Sequence, residues 1–200
     1  MIELVRGIPG PTLDPEDYLQ DFKRHFPQIQ DALWKLERMQ DFREPEEPSW
    51  VAMMDGDWGR ALALVEEKRR TSLRQAKSSA NFANRRLRIV ERPITPYLQW
   101  EMHILKIRVE TGEQDIKVLD ARALQPLEVE RPVPELVMLG TSALYEVLYD
   151  ETGALSGARR IGNPTVLTAC RNELTELFNK GEDLLVYFDR EIAPLPPPAS

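Results

Sequence analysis

The stretch that decides the fold is residues 87–109, LRIVERPITPYLQWEMHILKIRV. Leu87-Arg88-Ile89-Val90 is a short strand-forming run that Pro93 closes. Thr95-Pro96 then reads as a helix start, a side chain able to accept from first-turn amides followed by a proline whose fixed φ suits the first helical position. From there the chain is apolar nearly all round. Leu98, Met102, Leu105 and Val109 share one face and Tyr97, Trp100, Ile104 and Ile107 another, which predicts a helix held between a sheet and a second layer. A strand feeding such a helix makes the expected class α+β, a small mixed sheet with flanking helices.

Downstream, residues 115–119 read as the next strand, and 135–139 with 143–149 as a hairpin turning on Gly140-Thr141-Ser142. Thr152-Gly153 marks another turn. Asn163 caps and Pro164 opens a last long helix with Val166, Leu167, Cys170, Leu174, Leu177 and Phe178 on its apolar stripe, stopped by Gly181. The apolar run 184–188 is expected to add an edge strand. The tail APLPPPAS, residues 193–200, is polyproline-like and extended.

Upstream, the first third reads as helical. Asp14-Pro15-Glu16-Asp17 starts a helix bearing Tyr18, Leu19, Phe22 and Phe26, and Pro27 interrupts it. Ile29, Leu33, Leu36, Trp34 and Met39 continue the period and predict a second helix or a kinked continuation. EPEEPS at 44–49 is a proline-rich linker whose Ser49 is ready to cap, and 49–82 reads as a helical pair with Gly56 at the turn and Asp57 capping a face of Trp58, Ala61, Leu62 and Val65. No second copy of the GDWxxAL segment occurs, which argues against a repeat architecture. From Glu66 to Arg86 the pattern turns polar and basic, as in a solvated arm. The expected divisions are a helical section 1–83, a mixed α/β domain 84–192 and the tail 193–200.

The net charge is −7, from 26 basic and 33 acidic side chains, which disfavours attraction of the whole molecule to nucleic acid or anionic membranes. The charge is segregated: 6 basic against 13 acidic residues over 1–59, 10 against 3 over 60–92, and 10 against 17 over 93–200. The basic stretch either pairs with its acidic flanks or forms a docking surface, and a weaker reading lets 60–92 touch nucleic acid directly with steep salt dependence. One cysteine excludes an intramolecular disulfide, and two histidines leave few ligands for a transition metal. No cofactor is expected. The N-terminus lacks the apolar core of a signal peptide and no run of 18 apolar residues occurs, so the expected location is a reducing cytoplasm with no membrane span.

Familiar catalytic signatures are absent: no GxGxxG, P-loop, HExxH or GxSxG. The suggestive constellation is Arg92, Tyr97, Glu101 and Glu113, with Arg88 beside it. Glu101 lies one turn beyond Tyr97 on a helix too apolar to leave a carboxylate unpaired, and Arg88 or Arg92 at the exit of the preceding strand is the natural partner. The set is either an internal ion pair locking helix to sheet or a polar pocket for a small ligand. His103 is expected to be a surface or partly packed residue without a catalytic role, and Cys170, on an apolar stripe, an inert core thiol. Trp34, Trp50, Trp58, Phe22 and Phe26 are many large apolar groups for a short helical section, and they serve either a private core or an interface. Trp34, Trp50 and Trp58 with Arg69 and Arg70 are the candidate partner-binding residues, and homodimerisation through these helices stays open.

Residues 85–119 and 135–178, with the surrounding span 49–192, resemble a family of actinobacterial domains of unknown function. The features that carry the resemblance are Gly56-Asp57-Trp58, the run RIVERPITPYLQWE from Arg88 to Glu101, GEQDIKVL at 112–119, LVMLG at 136–140, LYEVLYDETG at 144–153 and the Asn163-Pro164 helix start. Members are commonly encoded beside small helix-turn-helix regulators, so the resemblance implies a regulatory context and no chemistry. The order of hairpin, YDETG turn and final helix also looks like the sensor halves of phospholipase-D-like domains fused to transcription regulators. The paired histidine and lysine of that active site are missing, since His103-Ile104-Leu105-Lys106 has the wrong spacing. The leading expectation is therefore a non-enzymatic regulatory protein that binds a protein partner, plausibly a helix-turn-helix regulator. The alternative is a ligand-binding or enzymatic domain using the pocket around Arg92, Tyr97, Glu101 and Glu113.

Overall fold

A computed structural model of the chain describes residues 1–77 and 82–198. Its centre is a strand that the hydrophobic period assigns to a helix. Residues Ala32–Glu37 form β2, which lies between two others in an eight-stranded sheet. Leu33 and Leu36 fit a helical stripe, but Ala32, Trp34 and Leu36 fit an alternating one equally well, and pairing on both sides decides for the strand. The helical reading of 29–39 is corrected accordingly.

The elements run β1 (Thr12–Leu13), α1 (Pro15–His25), β2, α2 (Pro48–Met54), α3 (Trp58–Glu67), α4 (Arg69–Lys77), β3 (Ala83–Val90), α5 (Pro96–Glu110), β4 (Asp115–Asp120), β5 (Glu135–Leu139), β6 (Ala143–Tyr149), β7 (Leu155–Ile161), α6 (Pro164–Lys180), β8 (Glu182–Asp183) and α7 (Leu184–Tyr187). The sheet order is β1-β7-β6-β5-β2-β3-β4-β8. β2, β3 and β4 are parallel neighbours, and every other pairing is antiparallel. The fold is α+β. The sheet takes β2 from before residue 84 and pairs it with β3, while part of the basic arm, residues 78–81, lies outside the described residues.

Local chemistry places the helix starts. Asp14 accepts from the Asp17 amide at 2.9 Å, Asp57 from Arg60 at 3.0 Å, Thr95 from Leu98 at 3.1 Å and Asn163 from Thr165 at 3.0 Å. α2 differs from the expectation at Ser49: Glu47 caps it with Pro48 in the first turn, and Ser49 sits inside, fully buried. The run 184–188 is also corrected. It is the helix α7 continuing into a π-helical turn, Phe188–Ile192, because Leu184, Tyr187, Phe188 and Ile192 bury one helical stripe against α5 and β4. In the hairpin, Gly140 holds φ +54, which only glycine adopts freely, and a Cβ there would meet Asp31 Oδ1 at 2.9 Å.

Two layers cover the sheet. On one face α6 packs Val166, Leu167, Cys170, Leu174, Leu177 and Phe178 onto Trp34, Leu36, Leu87, Ile89, Leu136 and Met138. On the other, α1 covers the β6–β7 side through Tyr18 and Phe22, and α5 covers β3–β4 through Leu98, Met102 and Leu105. α5 is a buried two-faced helix as its sequence predicts, and its second face, Tyr97, Trp100 and Ile107, meets Ala52, Met53, Ala61 and Val65 of α2 and α3. Between α1 and α5 a strip of this face stays open.

Candidate ligand cleft

The open strip is floored by charge. On β2 the residues pointing away from α6 are Leu33, Lys35 and Glu37, with Arg86 and Arg88 beside them on β3 and Glu135 beyond on β5. Lys35 pairs in register with Arg86, and Glu37 with Arg88. A cleft of about 300 Å³ lies over Lys35, Glu37 and Arg86, lined also by Phe42, Arg43 and Glu44 of the loop after β2, by Tyr97, Trp100, Glu101, Ile104, Leu105 and Arg108 of α5, and by Tyr149 and Leu155. Tyr97, Glu101, Ile104 and Arg108 recur at three- and four-residue intervals, which puts them on one side of α5. The opposite wall is tied at its base by the Arg43 amide donating to the Gly153 carbonyl at 2.9 Å.

Arg88 is the deepest group, with no exposed surface. Its Nε donates to Glu101 Oε2 at 2.7 Å, and Nη1 donates to the carbonyls of Met39 at 2.6 Å and Ile89 at 3.1 Å. This is the pair that the apolar character of α5 predicts. Arg86 holds both oxygens of Glu37 at 2.7 Å and donates to Gln114 at 3.2 Å. Tyr97 donates its hydroxyl to Glu44 at 2.6 Å, and the Trp100 indole donates to the buried Ser49 hydroxyl at 3.2 Å.

The protonation states follow. Burial works against the charge on Glu37, but Arg86, Lys35 and Arg88 outweigh it and hold the carboxyl below its ordinary pKa. Burial, helped by the Glu37 charge, raises Glu101 in spite of Arg88. Arg88 is kept firmly protonated: burial opposes its charge, and Glu101, Glu37 and Glu135 prevail. Burial and the neighbouring Arg86 push the Lys35 ammonium down to about 8, and the same two causes lower Arg108.

The remaining sequence candidates are placed as follows. Arg92 is not at the cleft; it is half exposed and ion-paired with Glu191, because β3 ends before it and the chain has turned away. Glu113 reaches the site only through Arg108, at 3.8 Å. Trp34 is corrected as a partner-binding residue. It is 2% exposed, edge-on to Phe178 at 5.4 Å with the Arg85 guanidinium 4.9 Å from its ring, since β2 points it at α6. Trp50 and Trp58 are half buried on α2 and α3, Trp58 edge-on to His103 at 5.7 Å. Arg69 pairs with Glu66 and Glu110, and Arg70 is exposed. His103 also contacts Phe188, and its pKa is lowered by burial and by Lys106. Burial raises the Cys170 thiol to about 11.

Lys35, Glu37, Arg86 and Arg108 are the cleft residues that the sequence reading passes over. The signal for Arg108 was its position seven residues, two turns, after Glu101. Lys35 and Glu37 became readable only once residues 32–37 were known to be a strand. No group of three or more His, Cys, Asp or Glu among the described residues is placed to hold a metal, and no helix among them is long and apolar enough to cross a membrane.

A family model for a domain of unknown function, DUF6879, matches residues 20–189, a span that contains every residue of the cleft. The chain belongs to the DUF6879 family. No protein of curated function matches this DUF6879 chain. Among solved structures it is similar to TrmBL2, an archaeal chromatin protein whose structure shows a novel mode of DNA binding, at 10% identity and a TM-score of 0.46, over 86% of this chain and 52% of that one. The chain thus spans about half the length of that protein.

Proposed function

We propose that the chain is a non-enzymatic regulatory module that holds a small molecule in the sheet-face cleft. The observation that carries this reading is the row Lys35, Glu37, Arg86 and Arg88 on central strands beside the cleft, with Arg86 and Arg88 at 4% and 0% exposure, where buried positions ordinarily take apolar residues. A fold that tolerates four charges there pays for them with binding, and perturbed titration inside a concave site supports the same reading. Among the described lining residues no serine, cysteine or histidine stands beside Lys35 to complete a nucleophile–base pair, which favours binding over catalysis.

A thermal-shift screen of small planar compounds tests it, run in parallel on Ile104→Trp, which fills the cleft from α5. Compounds should raise the melting temperature of the wild type and not of the variant. No shift with any compound, or shifts that persist in the variant, would overturn the reading.

A second reading, a protein partner on the outer face of α2 and α3, is favoured by Val51 and Met54, 38% and 62% exposed, beside the half-buried Trp50 and Trp58. In this reading the partner is a helix-turn-helix regulator in the same cytoplasm. Direct contact of 60–92 with nucleic acid is favoured least, because Arg69, Arg86, Arg88 and Arg92 are each engaged by a carboxylate.

A further inference from the structure

We propose that the occupant of the cleft is an organic anion on a planar ring, a carboxylate or a phosphate monoester attached to an aromatic group, held by Lys35 and Arg108 at the charged end and by Phe42, Tyr97 and Tyr149 at the ring. This rests on reading the cleft as a binding site.

Each carboxylate that lines the cleft is already engaged: Glu37 by Arg86, Glu101 by Arg88 and Glu44 by the Tyr97 hydroxyl. The cations are not. Lys35 makes no hydrogen bond or ion pair among the described residues, and the nearest carboxylate to Arg108 is Glu113, at 3.8 Å and beyond hydrogen-bond distance. Lys35, Arg108 and, at the exposed rim, Arg43 therefore line one space without an acceptor of their own, with Arg86 adding to the repulsion on Lys35 and Arg108. Burial and that repulsion depress the pKa of both Lys35 and Arg108. An anion entering between them removes the repulsion and supplies the missing acceptors, so the apo site is electrostatically complementary to a negative group. Arg108 offers a planar fork suited to carboxylate and phosphate alike.

The other wall is aromatic. Phe42 stands edge-on to Tyr97 at 5.5 Å and tilted against Tyr149 at 4.8 Å, and Tyr97 stands edge-on to Trp100 at 5.3 Å. Phe42, Tyr97 and Tyr149 line the cleft, where a further ring meets them by offset or edge contact, and the fully buried Trp100 supports Tyr97. A volume of about 300 Å³ lies at the small end of ligand sites and fits one ring with its anion rather than a dinucleotide.

4-Formylphenyl phosphate and 4-methoxybenzaldehyde serve as probes, because they carry the same free aldehyde on the same ring and differ in the anion. The uncharged Lys35 amine adds to the aldehyde carbon, water leaves, and borohydride delivers hydride to the imine carbon, fixing a secondary amine that peptide mass spectrometry locates. Lys35 should be modified ahead of the exposed Lys23 and Lys180, and at about tenfold lower concentration by the phosphate-bearing aldehyde. Arg108→Gln should erase that preference. In the wild type, where no variant has to fold, benzoate or phenyl phosphate should protect Lys35 and benzyl alcohol should not, and whichever anion protects at lower concentration separates carboxylate from phosphate. Equal modification by both aldehydes with protection by benzyl alcohol would overturn the anion while leaving the cleft as a binding site. Modification of Lys35 no faster than of Lys23, with no protection by any of the three, would overturn both.

Discussion

Lys35 is a charge the fold carries at a cost. Its folded pKa of about 8 lies below its ordinary 10.5, so the native state binds fewer protons than the unfolded chain between those values, and stability rises with pH across that window. Lys35→Met should therefore stabilise the protein at pH 7 by about 1–3 kcal/mol, with the difference from wild type closing between pH 8 and 10.5 in urea melts. A variant that is less stable at pH 7 would mean that the ammonium has a partner. Arg88 is the opposite case, because every neighbour is arranged to keep it charged. Arg88→Met leaves Glu101 buried with only its longer ion pair to Arg86, at 3.9 Å, and should cost about 3–5 kcal/mol, and adding Glu101→Leu should recover most of it. A double variant no better than the single would show that the carbonyl contacts to Met39 and Ile89, rather than Glu101, are what Arg88 supplies.

Elements with strong local punctuation were legible. α5 and α6 announce themselves by Thr95-Pro96 and Asn163-Pro164, and the β5–β6 hairpin by Gly140. β2 was not, because Ile29, Leu33 and Leu36 complete a helical period as well as Ala32, Trp34 and Leu36 complete an alternating one, and only the pairing on both sides decides between them. β7 hid for a different reason: Ser156, Arg159 and Arg160 interrupt its pattern, and Gly157 lowers its propensity. The Arg88–Glu101 pair was readable because a carboxylate on an apolar helix must be answered from nearby, whereas Arg92 missed the site because a strand's exit does not say where the chain turns next. The placement of β2 is itself testable. Trp34→Ala should cost about 3–5 kcal/mol in urea unfolding, since the ring fills the space between β2 and α6. A loss under about 1 kcal/mol is what a surface helix would give.

At the scale of the molecule, cleft and outer face share a wall. The Trp100 indole lines the cleft and donates to Ser49 of α2, whose exposed surface carries Val51 and Met54. Met54→Glu, far from any buried partner, should change stability by no more than about 0.5 kcal/mol and yet abolish co-elution with a helix-turn-helix regulator in size-exclusion chromatography with light scattering. Co-elution unaffected by the change would move the partner surface elsewhere. The two borders of the sheet, β1 and β8, are two residues each, and β8 is the acidic pair Glu182-Asp183. Strands so brief give an incoming chain almost no ladder to template on, and the negative border repels another copy of itself. Borders so short disfavour self-association by strand addition, including runaway fibre formation from the native state.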